Sequence, residues 1–187
     1  MRWLEIRRHS LTKKGEARGR GSHLSAAGVS LARAVGMGLG PFACVLSSSS
    51  PRAIETAVAM GYAVDDVVEM PSGYVPGEAD HHDQWRWKSP YETYAQLISS
   101  QGGVAQAARA HRNLWIRAVE SVPDGSGALI ISHGGSIEPG LVDCLPTADH
   151  RSWGMPFSHC DGARLTYIDG RFQAITFSRA PQKIRTR

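Results

Sequence analysis

Long apolar runs, paired cysteines and repeated segments are all missing from this chain. No uninterrupted apolar stretch approaches the roughly 18–20 residues that a membrane-spanning helix requires. The first residues, Met1-Arg2-Trp3-Leu4-Glu5-Ile6-Arg7, are broken by charge, which excludes a secretory signal segment. The three cysteines, Cys44, Cys144 and Cys160, are odd in number and far apart, so no disulfide framework is expected. These absences predict a cytoplasmic protein in a reducing compartment, without membrane association. Metal-ligand spacing is also lacking. His81-His82-Asp83 offers adjacent histidines that point apart in extended chain, with no second ligand pair, and no metal or other cofactor is expected.

What remains is an ordinary globular composition, with 42% hydrophobic and 20% charged residues in 187. That length suits one domain, read over residues 1–180, with a basic tail at 181–187 holding Lys183, Arg185 and Arg187. Lys and Arg exceed Asp and Glu by 21 − 17, or +4, a balance that suits anionic partners. The run from Lys13 to Arg20, containing Lys14, reads either as a solvated loop or as a guide leading an anion toward a pocket. Its basic residues lack interleaved aromatics, and a nucleic-acid partner is not expected. A small phosphorylated metabolite or a phosphorylated protein fits the charge better.

Patterning predicts strands over 3–7, 42–46, 67–70 and 128–132, and a C-terminal hairpin turning at Asp169-Gly170. Ala128 to Ser132 is unbroken and apolar, as in the centre of a parallel sheet. Helices are predicted after Ser25 as N-cap, after Pro51, over 91–98 and 104–119, and from Ser136 to Cys144. Between 71 and 90 the chain shows no period; Trp85 and Trp87 there, with Tyr91 just after, read as a lid or as a satellite apolar cluster. The alternation predicts a three-layer α/β domain with a mainly parallel central sheet and helices on both faces. Ligands bind such sheets beyond the carboxyl ends of the strands.

Three predicted strand ends carry unusual chemistry: Arg8-His9, Ser49-Ser50-Pro51-Arg52, and His133-Gly134-Gly135. Guanidinium forks suit phosphate oxygens, and Arg8 and Arg52 together can neutralise a phosphoryl group in its transition state. Histidine is a competent nucleophile when one ring nitrogen is free and the other is held, a part open to His9 or His133 on chemistry alone. Gly134 and Gly135 let backbone N–H groups approach an anion. Ser10, Ser50, Lys13, Lys14 and Gly134 are the substrate-binding candidates. His159-Cys160-Asp161 reads as pocket rim or as packing.

The segment Leu4 to His9 resembles the Arg-His-Gly signature of the histidine phosphatase superfamily, which includes the phosphoglycerate mutases. Leu24-Ser25-Ala26-Ala27-Gly28 resembles its Leu-Thr-x-x-Gly helix start. The block from Ser49 to Ala57 is close to its Ser-Ser-Pro-x-x-Arg-Ala-x-x-Thr-Ala motif, shortened by two residues before the arginine. Ile131-Ser132-His133-Gly134-Gly135 is similar to its second histidine motif. The likeness spans residues 3–170, with the middle third poorly matched, and the short His23-Leu24-Ser25 approach to the first helix resembles that of compact bacterial phosphohistidine phosphatases. It implies a phosphoglycerate mutase-like fold and a metal-independent phosphatase. His9 would become phosphohistidine, Arg8 and Arg52 would grip phosphate, and His133 would complete the pocket.

The chain departs from the pattern at Ser10, where the family has glycine, and in the basic insertion that follows. By position, Glu69 resembles the family's acid, with Glu78, Asp80 and Asp83 as alternatives. Without an acid, substrates with good leaving groups such as phosphohistidine become favoured. A catalytically weak phosphate- or phosphoprotein-binding module and a phosphomutase are the alternative functions.

Overall fold

A computed structural model describes residues 1–15 and 22–181. The basic tail beyond 181, and Glu16 to Gly21 of the basic loop, lie outside the described residues. Six strands form one mixed sheet: β1 (Arg2–Arg8), β2 (Cys44–Ser48), β3 (Asp66–Val68), β4 (Gly127–Ser132), β5 (Gly162–Ile168) and β6 (Arg171–Ser178). Their spatial order is β3-β2-β4-β1-β5-β6. The first three pairings in that order are parallel, and β5 and β6 add antiparallel strands at one edge. The predicted mainly parallel sheet is therefore present. The β5–β6 hairpin turns where expected, with Asp169 and Gly170 both at positive φ, the conformation of a type I′ turn.

Five helices cover the sheet: α1 (Ala26–Gly36), α2 (Pro51–Ala59), α3 (Pro90–Ser99), α4 (Gly103–Glu120) and α5 (Ile137–Cys144). Strand alternation divides the core into two layers. Leu4, Ile6, Ala128 and Ile130 pack with Tyr91, Tyr94, Trp115 and Leu141 from α3 to α5. Val45, Leu129 and Ile131 face Ala32, Ala53, Ala57 and Met60 from and beside α1 and α2. All of β4 is buried, which explains its unbroken apolar sequence. Ser25 caps α1 as predicted, its hydroxyl accepting from Gly28 N–H at 3.1 Å. Pro51 opens α2, where its missing N–H costs nothing.

Strand β2 runs two residues into the serine tract that the pattern reads as its dissolution, because Ser47 and Ser48 are buried against β4 and β3. The irregular stretch after β3 also departs from the lid reading. Tyr91 is fully buried with its ring against Trp153 and Phe177, and Trp87 packs on Tyr94. Only Trp85 of those three stands out, on a short 3-10 turn over 83–85, and its ring centre lies 5.9 Å from the Arg8 guanidinium carbon, a contact that a lid would make. No helix among the described residues is long and apolar enough to cross a membrane.

Candidate active site

The carboxyl ends of β1, β2 and β4, three neighbouring strands, meet at one cavity of about 360 Å³. Arg8, His9, Arg52, His133 and Gly134 line it, with Thr12, Ser22, Tyr74, His81, His82 and His159. The three separate strand-end motifs thus come together. A larger surface cleft, about 690 Å³ between Arg112 and Asp143 on one side and Gly170 to Gln173 on the other, holds none of these groups.

His9 is held from both sides. Its backbone N–H donates to Ser132 O at 2.9 Å, continuing the β1–β4 ladder past the end of the strand. Its Nδ1 lies 2.8 Å from Ser10 O, a carbonyl that can only accept, so Nδ1 carries the proton and the Nε2 lone pair is left for chemistry. Burial pushes the imidazole pKa down to about 2, and the neighbouring Arg8, His133 and Arg52 add to the shift. His9 is therefore a neutral base at physiological pH.

His133 sits opposite, its ring centroid 5.3 Å from that of His9. Arg52 Nη2 lies 3.2 Å from His133 Nδ1, and Ser48 Oγ lies 2.7 Å from Nε2. Guanidinium nitrogen only donates, so Nδ1 accepts and Nε2–H donates to the serine. Burial, then Arg52 and Arg8, bring the His133 pKa down to about 4. Thr56 ties α2 to the loop after His9: its Oγ1 accepts from Ser10 N–H at 2.9 Å and donates to Arg52 O at 2.6 Å.

Arg8 lies beneath Gly134, where an added Cβ would come within 3.2 Å of the guanidinium. Its Nη1 donates to Phe157 O at 2.6 Å, and burial lowers its pKa. Below it, the fully buried Glu138 accepts from Gly135 N–H at 2.6 Å and Phe157 N–H at 2.9 Å. Burial raises the Glu138 pKa against the pull of those two bonds and Arg8. Motif reading singles out neither Glu138 nor Tyr74. The signal for Tyr74 is Gly73: a Cβ there would collide with Gly135 O, so only glycine lets the chain after β3 lie against the turn after His133.

The remaining predicted residues fall at or outside the rim. Ser10 replaces a family glycine without strain, since its φ is not positive and its buried hydroxyl donates to Gly28 O at 2.7 Å, away from the cavity. Ser50 is the N-cap of α2 and does not line the cavity. Lys13 and Lys14 are exposed and do not line the cavity. Glu69 is exposed at the end of β3 and is not among the lining residues. Glu78 is used elsewhere, accepting from Gly103 N–H at 2.7 Å and Val104 N–H at 3.0 Å to cap α4. Asp80 and Asp83 bond to backbone N–H groups of the 77–83 loop.

His159 belongs to the rim, its ring 5.5 Å from His9, and burial with Arg8 lowers its pKa to about 4. His81 and His82 depart from the expected geometry. Their ring centroids are 3.8 Å apart because His82 adopts φ 72°, which turns the chain back. The described residues contain no group of three or more potential ligands able to hold a metal ion. Among the described lining residues there is no carboxylate.

Neutral imidazoles and two arginines closing on a cavity at parallel strand ends define a site for a tetrahedral oxyanion. The sequence profile of the histidine phosphatase superfamily (branch 1) matches residues 6–179, and the chain belongs to that superfamily. Among solved structures it resembles a phosphoserine phosphatase from Entamoeba histolytica in complex with 3-phosphoglyceric acid (TM-score 0.66, 16% identity, 98% of each chain). It also resembles a mycobacterial glucosyl-3-phosphoglycerate phosphatase (TM-score 0.63, 20% identity, 97% of this chain and 100% of that one). A phosphoglycerate mutase from Bacillus anthracis is similar in the same way (TM-score 0.60, 20% identity, 91% and 90%). At these identities the likeness is one of fold. No curated protein sequence matches the chain.

Proposed function

We propose that the protein is a phosphatase that transfers a phosphoryl group from a phosphorylated substrate to His9 and then to water, without a metal ion. The observation that carries this reading is the state of His9: buried, neutral, with Nδ1 bound to Ser10 O and Nε2 at the cavity between Arg8, Arg52 and His133. In the first step Nε2 forms a bond to phosphorus as the bond to the leaving oxygen breaks. Arg8 and Arg52 balance the charge on the other phosphoryl oxygens, and His133 faces the transferring group. In the second step water attacks phosphorus, the P–N bond breaks, and phosphate leaves with His9 neutral again. The three cysteines are unpaired, which accords with a reducing cytoplasm.

Small phosphorylated metabolites fit the cavity volume, and the related phosphatases named above act on compounds of that kind. The reading is tested by hydrolysis of an aryl phosphate in the presence of chelator, comparing wild type with His9→Ala. Turnover that survives chelator and disappears in the variant is expected. Turnover unchanged in a pure His9→Ala preparation would overturn it.

A further inference from the structure

A phosphate ester of an ordinary alcohol needs a proton at its bridging oxygen as the bond to phosphorus breaks. The described lining residues hold no carboxylate to give one, and His9, His133 and His159 are held neutral. We propose that Tyr74 supplies this proton, a role that rests on the phosphatase reading above.

The placement of Tyr74 is fixed from several sides. Gly73 lies against Gly135 O, and the Tyr74 ring covers Gly135, where a Cβ would run into the ring. Ser136 Oγ accepts from Gly73 N–H at 3.3 Å, and His111 Nε2 donates to Pro71 O at 2.8 Å, so the chain leading into Tyr74 is tied at two points, to α4 and to the start of α5. The buried Gln84 amide donates to the Tyr74 hydroxyl oxygen at 2.7 Å, with the His82 backbone N–H acting on it in the same sense. An oxygen that is accepting in this way keeps its own proton for another partner, and the residue lines the phosphate cavity.

The groups that face Tyr74 are Arg8 from β1, Glu138 from α5, Gln84 and the rings of His81 and His82 from its own loop, and Tyr94 from α3. Arg8 favours the phenolate, while burial, the larger effect, disfavours it. A phenol is a stronger acid than an aliphatic alcohol, so the proton moves to the departing alkoxide as the P–O bond breaks. Phenolate then takes a proton from the water that attacks phosphohistidine, which restores the tyrosine and releases phosphate. Every proton given in the first step is recovered in the second.

The test compares an alkyl phosphate, which needs the proton, with a nitrophenyl phosphate, whose leaving group departs as a stable anion. The quantity compared is kcat/KM, which reports the steps up to departure of the leaving group and not the later attack of water. In Tyr74→Phe it is expected to fall about a hundredfold for the alkyl ester and to stay within about threefold of wild type for the nitrophenyl ester, which reports a folded site. Wild-type alkyl turnover is expected to persist from neutral pH to about pH 9, since tyrosine keeps its proton there. Equal losses on both esters would make Tyr74 a binding or packing residue and overturn the assignment. So would alkyl turnover lost above about pH 6 and sensitive to Glu69→Gln instead, the mark of a carboxyl donor. Absence of wild-type turnover on both esters would overturn the phosphatase reading itself, an outcome distinct from turnover that needs His9 but ignores Tyr74.

Discussion

Replacing Glu138 by Gln removes a single charge from a site with no solvent and leaves shape almost unchanged. The carboxylate accepts from Gly135 N–H at 2.6 Å and Phe157 N–H at 2.9 Å, joining the turn after His133 to the loop whose carbonyl holds Arg8. Glutamine has one acceptor oxygen, so its amide group must face one of these two donors. A buried donor left without a partner costs about 1–3 kcal/mol. Taking ~2 kcal/mol, and roughly 2–4 °C per kcal/mol for a chain of this size, the melting temperature is expected to fall by about 4–8 °C. Arg8 also loses the carboxylate that favours its charged form. If half of the energetic loss is felt at the phosphate position, kcat/KM falls by about fivefold, at tenfold per ~1.4 kcal/mol. Scanning calorimetry and steady-state kinetics on the same preparation measure both, and vanadate inhibition reports the phosphate position separately. A variant with wild-type melting temperature and unchanged vanadate affinity would refute the view that Glu138 positions the phosphate site.

Other expectations follow from the same geometry. Ser48→Ala removes the acceptor for His133 Nε2–H; a net loss of about 1 kcal/mol would lower kcat/KM by roughly fivefold while the fold is retained, as steady-state kinetics and circular dichroism would record. His9, His133 and His159 all have depressed pKa values, near 2, 4 and 4. Below the ordinary histidine value the unfolded chain binds protons that the folded chain does not. Stability is thus present above about pH 6.5 and lost as pH falls toward 4, by up to roughly 1.4 kcal/mol per pH unit for each ring; urea midpoints across that window would show it, and a flat profile would contradict it. On the proposed mechanism, in which the His9 imidazole attacks phosphorus and Arg8 and Arg52 balance the charge, hydrolysis is expected to be unaffected by chelator.

Much of this site can be read from the chain because its parts lie at the ends of strands that announce themselves. Ala128 to Ser132 is apolar on both sides, and that pattern alone puts His133 beyond a central strand. Arg8-His9 and Arg52 follow in the same manner. Tyr74 and Glu138 are not legible as site residues, and His159 stays open between rim and packing, since nothing local marks them. Each reaches the site by long-range contacts: Gly73 against Gly135, Glu138 to Phe157, and the return of the chain past Trp153 into β5. The pair His81-His82 misleads for a different reason. Side chains of neighbours diverge in extended chain, but a residue at φ 72° does not continue an extended chain. The acid placed by position at Glu69 stands exposed outside the cavity, because the strand before it ends at Val68 and the chain turns to lay Gly73, not Glu69, against the second histidine turn.

The adjacency of β1 and β4 acts as a ruler. His9 and His133 extend from strands that are hydrogen-bonded partners, with Arg8 level with Ser132, and their rings stand 5.3 Å apart. Neighbouring strands are spaced about 4.8 Å apart by their backbone hydrogen bonds. The spacing of the two strand ends that carry these rings is therefore a property of the peptide ladder, while Ser10, Ser48 and Arg52 set how each ring is turned. Substitutions in the surrounding loops can therefore change what else lines the cavity while the separation of these two strand ends stays the same.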